Sequence, residues 1–477
     1  MADKMSKVIL PVKNGDVITN KEFDIRDADI AAFIGYTDDD IYGVEVDLQN
    51  KTFTRLSGAV GKNAGSDFDS INTFGGRRRC NLTDDGVVTA YYGDEAYTET
   101  GLLKQAVTKD GVTYPVGTEV QVMVEQPRFY YKVVPLKLEK LPDGNGYQIR
   151  KARYYVSDTP KEGFKLHPAF IRNNEEADYI YFSAYEGCTY DVSASAYNMN
   201  DAQTVDFTTS TGDKLASIAN AKPTSGLSQT GATRAGFRKI AHNRGDDWEQ
   251  AYAATISCTQ LLMLIEYASF NMQNEIAKGV CDISDNSSYN CSSLTGSTSS
   301  LGNASGRAAS TINTKGSTST TETVDGKTSM TYRGEENPYS NIWIFIDGTN
   351  IKNPSTFTSG YTEHLYIADH DFADDTATGY EDTGIHPCYG EGYISAFGYS
   401  EDYDWLFIPT ELLGNSTIPI GDYDWNRNSG WRVAALGGYW ISGLIAGAFC
   451  WSLDSASSYR YRHIGGRLVY FKKKQAA

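Results

Sequence analysis

The sequence predicts an α+β fold in which short β-strands outnumber helices. Three observations carry this. Alternating apolar and polar runs recur between Gly- and Asp-rich turns, two stretches have helical spacing, and Tyr is the commonest aromatic, with 33 Tyr against 19 Phe and 7 Trp. Tyr suits half-buried strands, where the ring packs and the hydroxyl stays wet. It also suits exposed binding surfaces, since it gives a large contact area with few rotors. At 477 residues the chain exceeds one ordinary domain, and 40% hydrophobic with 22% charged residues is a globular balance.

The elements follow in order. Val8, Leu10 and Val12 alternate before Asn14-Gly15, and apolar character resumes at Val17-Ile18, which reads as a hairpin with an Asn-Gly turn. Short strands are expected over 42–46 and 87–92. Val120, Val122 and Val124 alternate and lead into Phe129-Tyr130-Tyr131 and Val133-Val134, so 120–134 is strongly β-like, and a further strand is expected over 147–156. Thr233 can cap a helix running through Ile240. A second helix is expected from about Trp248 to Ile276, with Asp246, Asp247 and Glu249 near its positive end and Ala254, Cys258, Leu261, Leu262 and Ile265 as its core stripe. Residues 283–332 are rich in Ser, Thr, Gly and Asn and read as an insertion forming a long surface excursion or a mobile loop. Six of the seven Trp follow Tyr332, so the aromatic core is expected in the last third. This divides the chain into a β-rich N-terminal region, 1–119, and a larger domain, 120–477.

Net charge is −17 and the sequence pI is near 4.9. Nucleic acid and anionic membranes need clustered Lys and Arg, so neither is an expected partner, and the short run Lys472, Lys473, Lys474 does not reverse this. No signal peptide precedes Val8-Ile9-Leu10, and no stretch is apolar enough to span a bilayer; the best, 261–265, stops at Glu266. The expectation is synthesis in a cytoplasm without membrane insertion. The seven cysteines form no CxxC pair; Cys281 and Cys291 could bridge a loop, but isolated thiols are the stronger expectation.

The sequence offers little to a catalyst. None of the six His forms an HExxH pair, and no G-x-S-x-G elbow or dinucleotide fingerprint is present. Asp371, Asp374, Asp375 and Glu381 could hold calcium, although the spacing matches no EF-hand and a solvated acidic loop is the stronger reading. No cofactor is expected.

Several motifs together resemble a known group. They are Ser66-Asp67-Phe68-Asp69, Arg78-Arg79-Cys80-Asn81, Val122-Met123-Val124-Glu125-Gln126-Pro127, His167-Pro168-Ala169-Phe170, Ile265-Glu266-Tyr267 and Tyr332-Arg333-Gly334-Glu335-Glu336-Asn337-Pro338. The ending adds Gly437-Gly438-Tyr439-Trp440, Ala446-Gly447-Ala448-Phe449 and Ile464-Gly465-Gly466-Arg467-Leu468. From about Tyr42 to Phe471 the chain resembles phage and prophage tail proteins with the C-type lectin fold, the variable proteins of diversity-generating retroelements related to the major tropism determinant. That fold is shared with the formylglycine-generating enzyme, whose chemistry needs a cysteine pair near the C-terminal strands. Cys450 stands alone there, so an enzyme is not expected.

The resemblance implies a receptor-binding protein of the virion tail. Its 1–119 region would attach to other tail proteins or oligomerise, with a trimer favoured, and residues 437–470 would bind a bacterial surface protein or glycan. Copying errors at template adenines turn Asn codons into Tyr, Ser, Asp, His, Ile or Cys. Within 437–470, Tyr439, Ile441, Ser442, Ile445, Cys450, Ser452, Asp454, Ser455, Tyr459, Tyr461 and His463 fall in that reachable set and form the expected exchangeable contact set. Trp440, Gly443, Gly447, Phe449, Gly465 and Arg467 form the expected framework. Tyr459, Tyr461 and His463 alternate, so on a strand they would share one face. Rivals are a cell-encoded adhesin of the same fold and a purely structural tail protein.

Overall fold

The computed structural model describes residues 5–14, 17–26, 35–142, 144–200, 204–227, 229–284, 289–315, 318–355 and 363–474. The chain is predominantly β-sheet with few helices, 38% strand against 11% helix, so side-chain alternation along strands decides most of what is buried. Three large sheets, counted among the described residues, organise it. One centres on the antiparallel pair Tyr130–Lys140 and Tyr147–Ser157. A second runs from Val88–Tyr91 through Arg78–Leu82, Gln121–Pro127 and Glu175–Ser183 to the C-terminal strand Leu468–Lys473. The third joins Trp343–Asn353, Gly430–Leu436, Trp451–Ser455, Tyr423–Asn426 and Gly390–Tyr393.

The helix Ala253–Tyr267 lies between them, with 13 of its 15 residues buried. A helix apolar nearly all round belongs in a core, not on a surface. Leu261, Leu262 and Ile265 share one cluster with Val124, Val156, Ile344, Leu436 and Trp451, so this helix cements all three sheets.

Several sequence expectations need correction. The helix expected from Trp248 starts later, because Trp248–Gln250 pairs with the C-terminal strand, and Glu249 is bonded to Arg172 and His242 instead of sitting at a helix end. The helix begins where the Thr255 hydroxyl accepts the Tyr252 N–H. It ends at Ala268, in the left-handed region, and a separate turn spans Met272–Glu275. The first helix, Arg234–His242, does carry Thr233 as its cap, accepting from the Gly236 N–H.

Residue 119 marks no break in the sheets. Ile41–Asp47 pairs along Tyr147–Ser157, and Arg78–Leu82 along Gln121–Pro127. Strand pairing is set by matching faces far apart in sequence, which composition does not reveal. The hairpin Met5–Asn14 with Val17–Arg26 pairs Asn14 with Val17, while Gly15 of the expected Asn-Gly turn lies outside the described residues.

The Ser/Thr-rich stretch 283–332 is not a surface excursion. Cys291 and Ile312 pack with Trp440, and buried Glu336 accepts from the N–H groups of Gly296 (2.8 Å) and Thr298 (2.6 Å). Small polar residues can be buried when each finds a partner, so polarity alone does not force exposure. All seven cysteines are free thiols, including Cys281 and Cys291. The four carboxylates considered for calcium diverge. Asp374 meets Arg234 and Arg238, Asp375 accepts from Ser457, Glu381 accepts from Tyr403, and Asp371 is solvated. Among the described residues no three metal-ligating side chains converge, and no helix is long and apolar enough to cross a membrane.

Candidate functional site

The third sheet has two faces. Ile344, Ile346, Ala434, Leu436, Trp451 and Leu453 point toward the central helix, and Trp343, Phe345, Val433 and Ala435 point the other way, toward Phe237 and Ile240 of the Arg234–His242 helix. That cover stops short of one end of the sheet, leaving a cleft of about 720 Å³. Period-2 alternation supplies its floor. On Trp451–Ser455, Trp451 and Leu453 are buried, and Ser452 and Asp454 line the cleft. Trp343, Trp425, Arg432 and Ala435 complete the floor.

The first wall is the loop after Gly430–Leu436. Gly437 (φ 102°) and Gly438 (φ 83°) turn the chain out of the strand through conformations that favour glycine. Trp440 then plugs a buried cluster with Val280 and Ile283, and its carbonyl accepts the Ile283 N–H at 2.7 Å. Gly443 (φ 59°) donates to the Cys281 carbonyl at 2.7 Å. With the backbone fixed, Ile441 and Leu444 stand exposed at the rim, and Ile445 lines the cleft.

The second wall is residues 456–463. It is a loop, not the expected strand. Its backbone is held where Gly226 N–H donates to the Tyr461 carbonyl and Trp343 N–H to the His463 carbonyl, both at 2.9 Å. The rings meet nonetheless. His463 lies 4.2 Å from Tyr439 and 4.8 Å from Tyr461, and the Tyr459 hydroxyl is 3.1 Å from His463 Nε2. Burial, then the neighbouring Tyr439 and Tyr461, push the Tyr459 hydroxyl up to about 12, so it stays protonated and can donate.

Nine of the eleven expected contact residues line this cleft: Tyr439, Ile441, Ser442, Ile445, Ser452, Asp454, Ser455, Tyr459 and His463. They are not equally free to change. The Ser442 hydroxyl accepts the Tyr439 N–H at 2.9 Å, and Asp454 accepts the N–H groups of Arg427 and Asn428 at 2.5 and 2.8 Å, pinning that turn. Tyr461 is 44% exposed outside the cleft proper. Cys450 is the clear correction. It is fully buried between Gly437 and Gly447 backbone partners and cannot touch a ligand. Its reachable codon misled, because codon chemistry carries no information on burial.

The framework residues lie in the interior or at constrained turns. Phe449 packs on Phe270, Phe397 and Phe407, and Arg467 donates to the carbonyls of Glu336, Asn337 and Ser183. A side chain at Gly447 would strike the Asp422 carboxylate, and one at Gly465 the Thr224 carbonyl. Outside 437–470, the sequence reading leaves out Trp343, Trp425, Arg427, Asn428 and Arg432. The alternation of Tyr423 and Trp425 with Asp424 and Asn426 was a usable signal, since it puts the two rings on one face.

Substitution should follow this geometry. Cys450→Tyr forces a large ring into a packed site and should cost about 2–3 kcal/mol or more, and Ile441→Tyr at the rim should stay within about 0.5 kcal/mol. Paired denaturant melts check this, and equal losses would remove the distinction between buried interior and rim.

No family model matches the sequence, and no curated protein matches it. Among solved structures, one that this chain resembles weakly is titled "Major Tropism Determinant I1 Variant". The TM-score is 0.27 at 9% identity, covering 86% of this chain and 73% of that one. At that level no fold or function transfers from it.

Proposed function

We propose that this chain is a non-catalytic receptor-binding protein of a phage or prophage tail, with a C-type-lectin-type fold, binding a bacterial surface receptor through the C-terminal cleft. One observation carries the reading: nine side chains picked out by codon reach converge with fixed aromatics on one cleft. Its volume of about 720 Å³ falls within the range of about 300–1,000 Å³ typical of ligand sites. A rigid backbone presenting exchangeable side chains keeps ordering costs low while sequence varies. The titratable groups of the cleft support binding over catalysis, since Asp454 is occupied by backbone N–H groups and His463 by Tyr459. In this reading the N-terminal region attaches the protein to the tail or builds a trimer, and several copies multiply a weak single site. Diversification by a retroelement predicts a near-copy of the 437–470 coding segment close to the gene, differing at template adenines.

The test is adsorption. Purified protein should bind cells of a susceptible strain, and Tyr439→Ala with Tyr459→Ala should lower binding at least tenfold while leaving the melting temperature within a few degrees. Unchanged adsorption by a folded double variant would favour the structural tail-protein reading instead.

A further inference from the structure

The aromatic floor of the cleft does not end at its rim. Trp343 and Trp425 meet edge to face at 5.6 Å, Trp425 and Tyr423 lie 4.5 Å apart, and Tyr423 meets Tyr393 at 5.1 Å. Tyr423 and Trp425 are two residues apart on the strand Tyr423–Asn426 and share a face, while Asp424 and Asn426 are buried on the other. Tyr393 is the cross-strand partner of Tyr423. The three outer rings are part-exposed, and none belongs to 437–470. The strip is therefore fixed where the walls are exchangeable.

Polar groups flank the rings. Arg427 and Asn428 line the cleft beside Trp425, and Arg427 is neutralised by Glu391 at 2.7 Å. Arg432 differs. It lines the cleft, donates to the carbonyls of Trp431 (2.8 Å) and Ser429, and meets no carboxylate within ion-pairing distance among the described residues. With Arg427 paired to Glu391, Arg432 is the guanidinium of the lining that no carboxylate among the described residues balances, in a chain whose net charge is −17.

We infer that the ligand is an acidic glycan, with one sugar in the cleft directing its anionic group to Arg432 and further sugars stacked along Trp425, Tyr423 and Tyr393. This rests on the receptor-binding reading and narrows it. A sugar ring offers C–H groups on its faces and hydroxyls at its edges, which suits electron-rich ring faces bordered by polar side chains. The concave site is of small-ligand size, whereas a protein partner needs roughly 800 Å² of surface on each side. A guanidinium with open donors is the side chain that reads a carboxylate or phosphate by charge-assisted bonds.

The experiment uses the full chain and a strain to which it adsorbs. Polysaccharide extracted from that strain is separated by charge into acidic and neutral fractions, and binding is followed by tryptophan fluorescence and by pull-down. The acidic fraction should bind, more weakly as salt rises. Tyr423→Ala and Arg432→Gln should each weaken binding about tenfold, and Arg432→Lys by less. Periodate treatment of the cells should abolish adsorption, and protease treatment should spare it. Retention by the neutral fraction alone, loss of adsorption on protease treatment, or full binding by a folded Tyr423→Ala would each overturn the glycan. The salt response of the parent protein stands even if Arg432→Gln fails to fold. Adsorption to no bacterial strain would remove the receptor-binding reading itself.

Discussion

Replacing Arg234 with alanine is expected to remove about 3–5 kcal/mol of stability, because it breaks a buried ion-pair network and leaves buried carbonyls and Asn350 Oδ1 short of donors. Arg234 is fully buried at the start of its helix. Its guanidinium donates to Asp374 at 2.6 and 2.9 Å, to Asn350 Oδ1 at 2.6 Å, and to the carbonyls of Ile346 and Thr349. Those carbonyls flank the register shift in Trp343–Asn353 against Gly430–Leu436, where Gly348 adopts φ 62°. Arg234 thus supplies donors to backbone carbonyls at the point where the register shifts. Arg238 completes the square, meeting Asp347 at 2.6 and 2.7 Å and Asp374 at 2.6 Å. It is part-exposed, so Arg238→Ala should cost less. The loss should also reach the cleft, because Asp375, next to Asp374, accepts from Ser457 in the second wall. Urea melts of the two variants test the order. A midpoint for Arg234→Ala equal to that of the parent would show the network to be dispensable.

The same network shows what the sequence reveals and what it hides. Thr233 was legible as a cap because an N-cap depends on one side chain and its neighbours. The partners of Arg234 were not, since they lie more than a hundred residues away and are set by sheet order. The start of the central helix was misread for a related reason. Asp246, Asp247 and Glu249 looked like dipole partners, but Glu249 was claimed by Arg172 and His242 through tertiary contact. The residues of the cleft walls were largely legible as a group because they lie close together in sequence between interleaved Gly and Trp residues. The floor was not, since Trp343, Trp425 and Arg432 reach the cleft only through strand pairing. Tyr459 and His463 meet by loop geometry where alternation suggested a strand, so their adjacency was foreseen and its cause was not.

The pH dependence of stability should carry two opposed steps of several kcal/mol, one from Glu186 and one from His167. Glu186 is fully buried, and desolvation outweighs nearby Arg467 and the amides of Asn337 and Asn341, raising its carboxyl from 4.5 to about 8. The unfolded chain ionises above 4.5 and the folded chain not until about 8. The native state therefore binds more protons in that window, and stability present below 4.5 is lost as pH rises through 8. His167 runs the other way. It is packed among Phe129, Tyr131, Phe170 and Trp405, accepts the Ala169 N–H at Nδ1, and is lowered by desolvation from 6.5 to about 3. Its contribution is present above 6.5 and lost as pH falls toward 3. Between 4.5 and 6.5 the two slopes cancel. Each step is on the order of 5 kcal/mol at about 1.4 kcal/mol per pKa unit. Glu186→Gln carries no titrating group, so it should gain on the parent between pH 5 and 8. His167→Gln should gain on the parent between pH 6.5 and 4. Denaturant melts across pH provide the readout. A constant offset between Glu186→Gln and parent at every pH would mean that Glu186 is already ionised in the fold, held by Arg467 and the two asparagines.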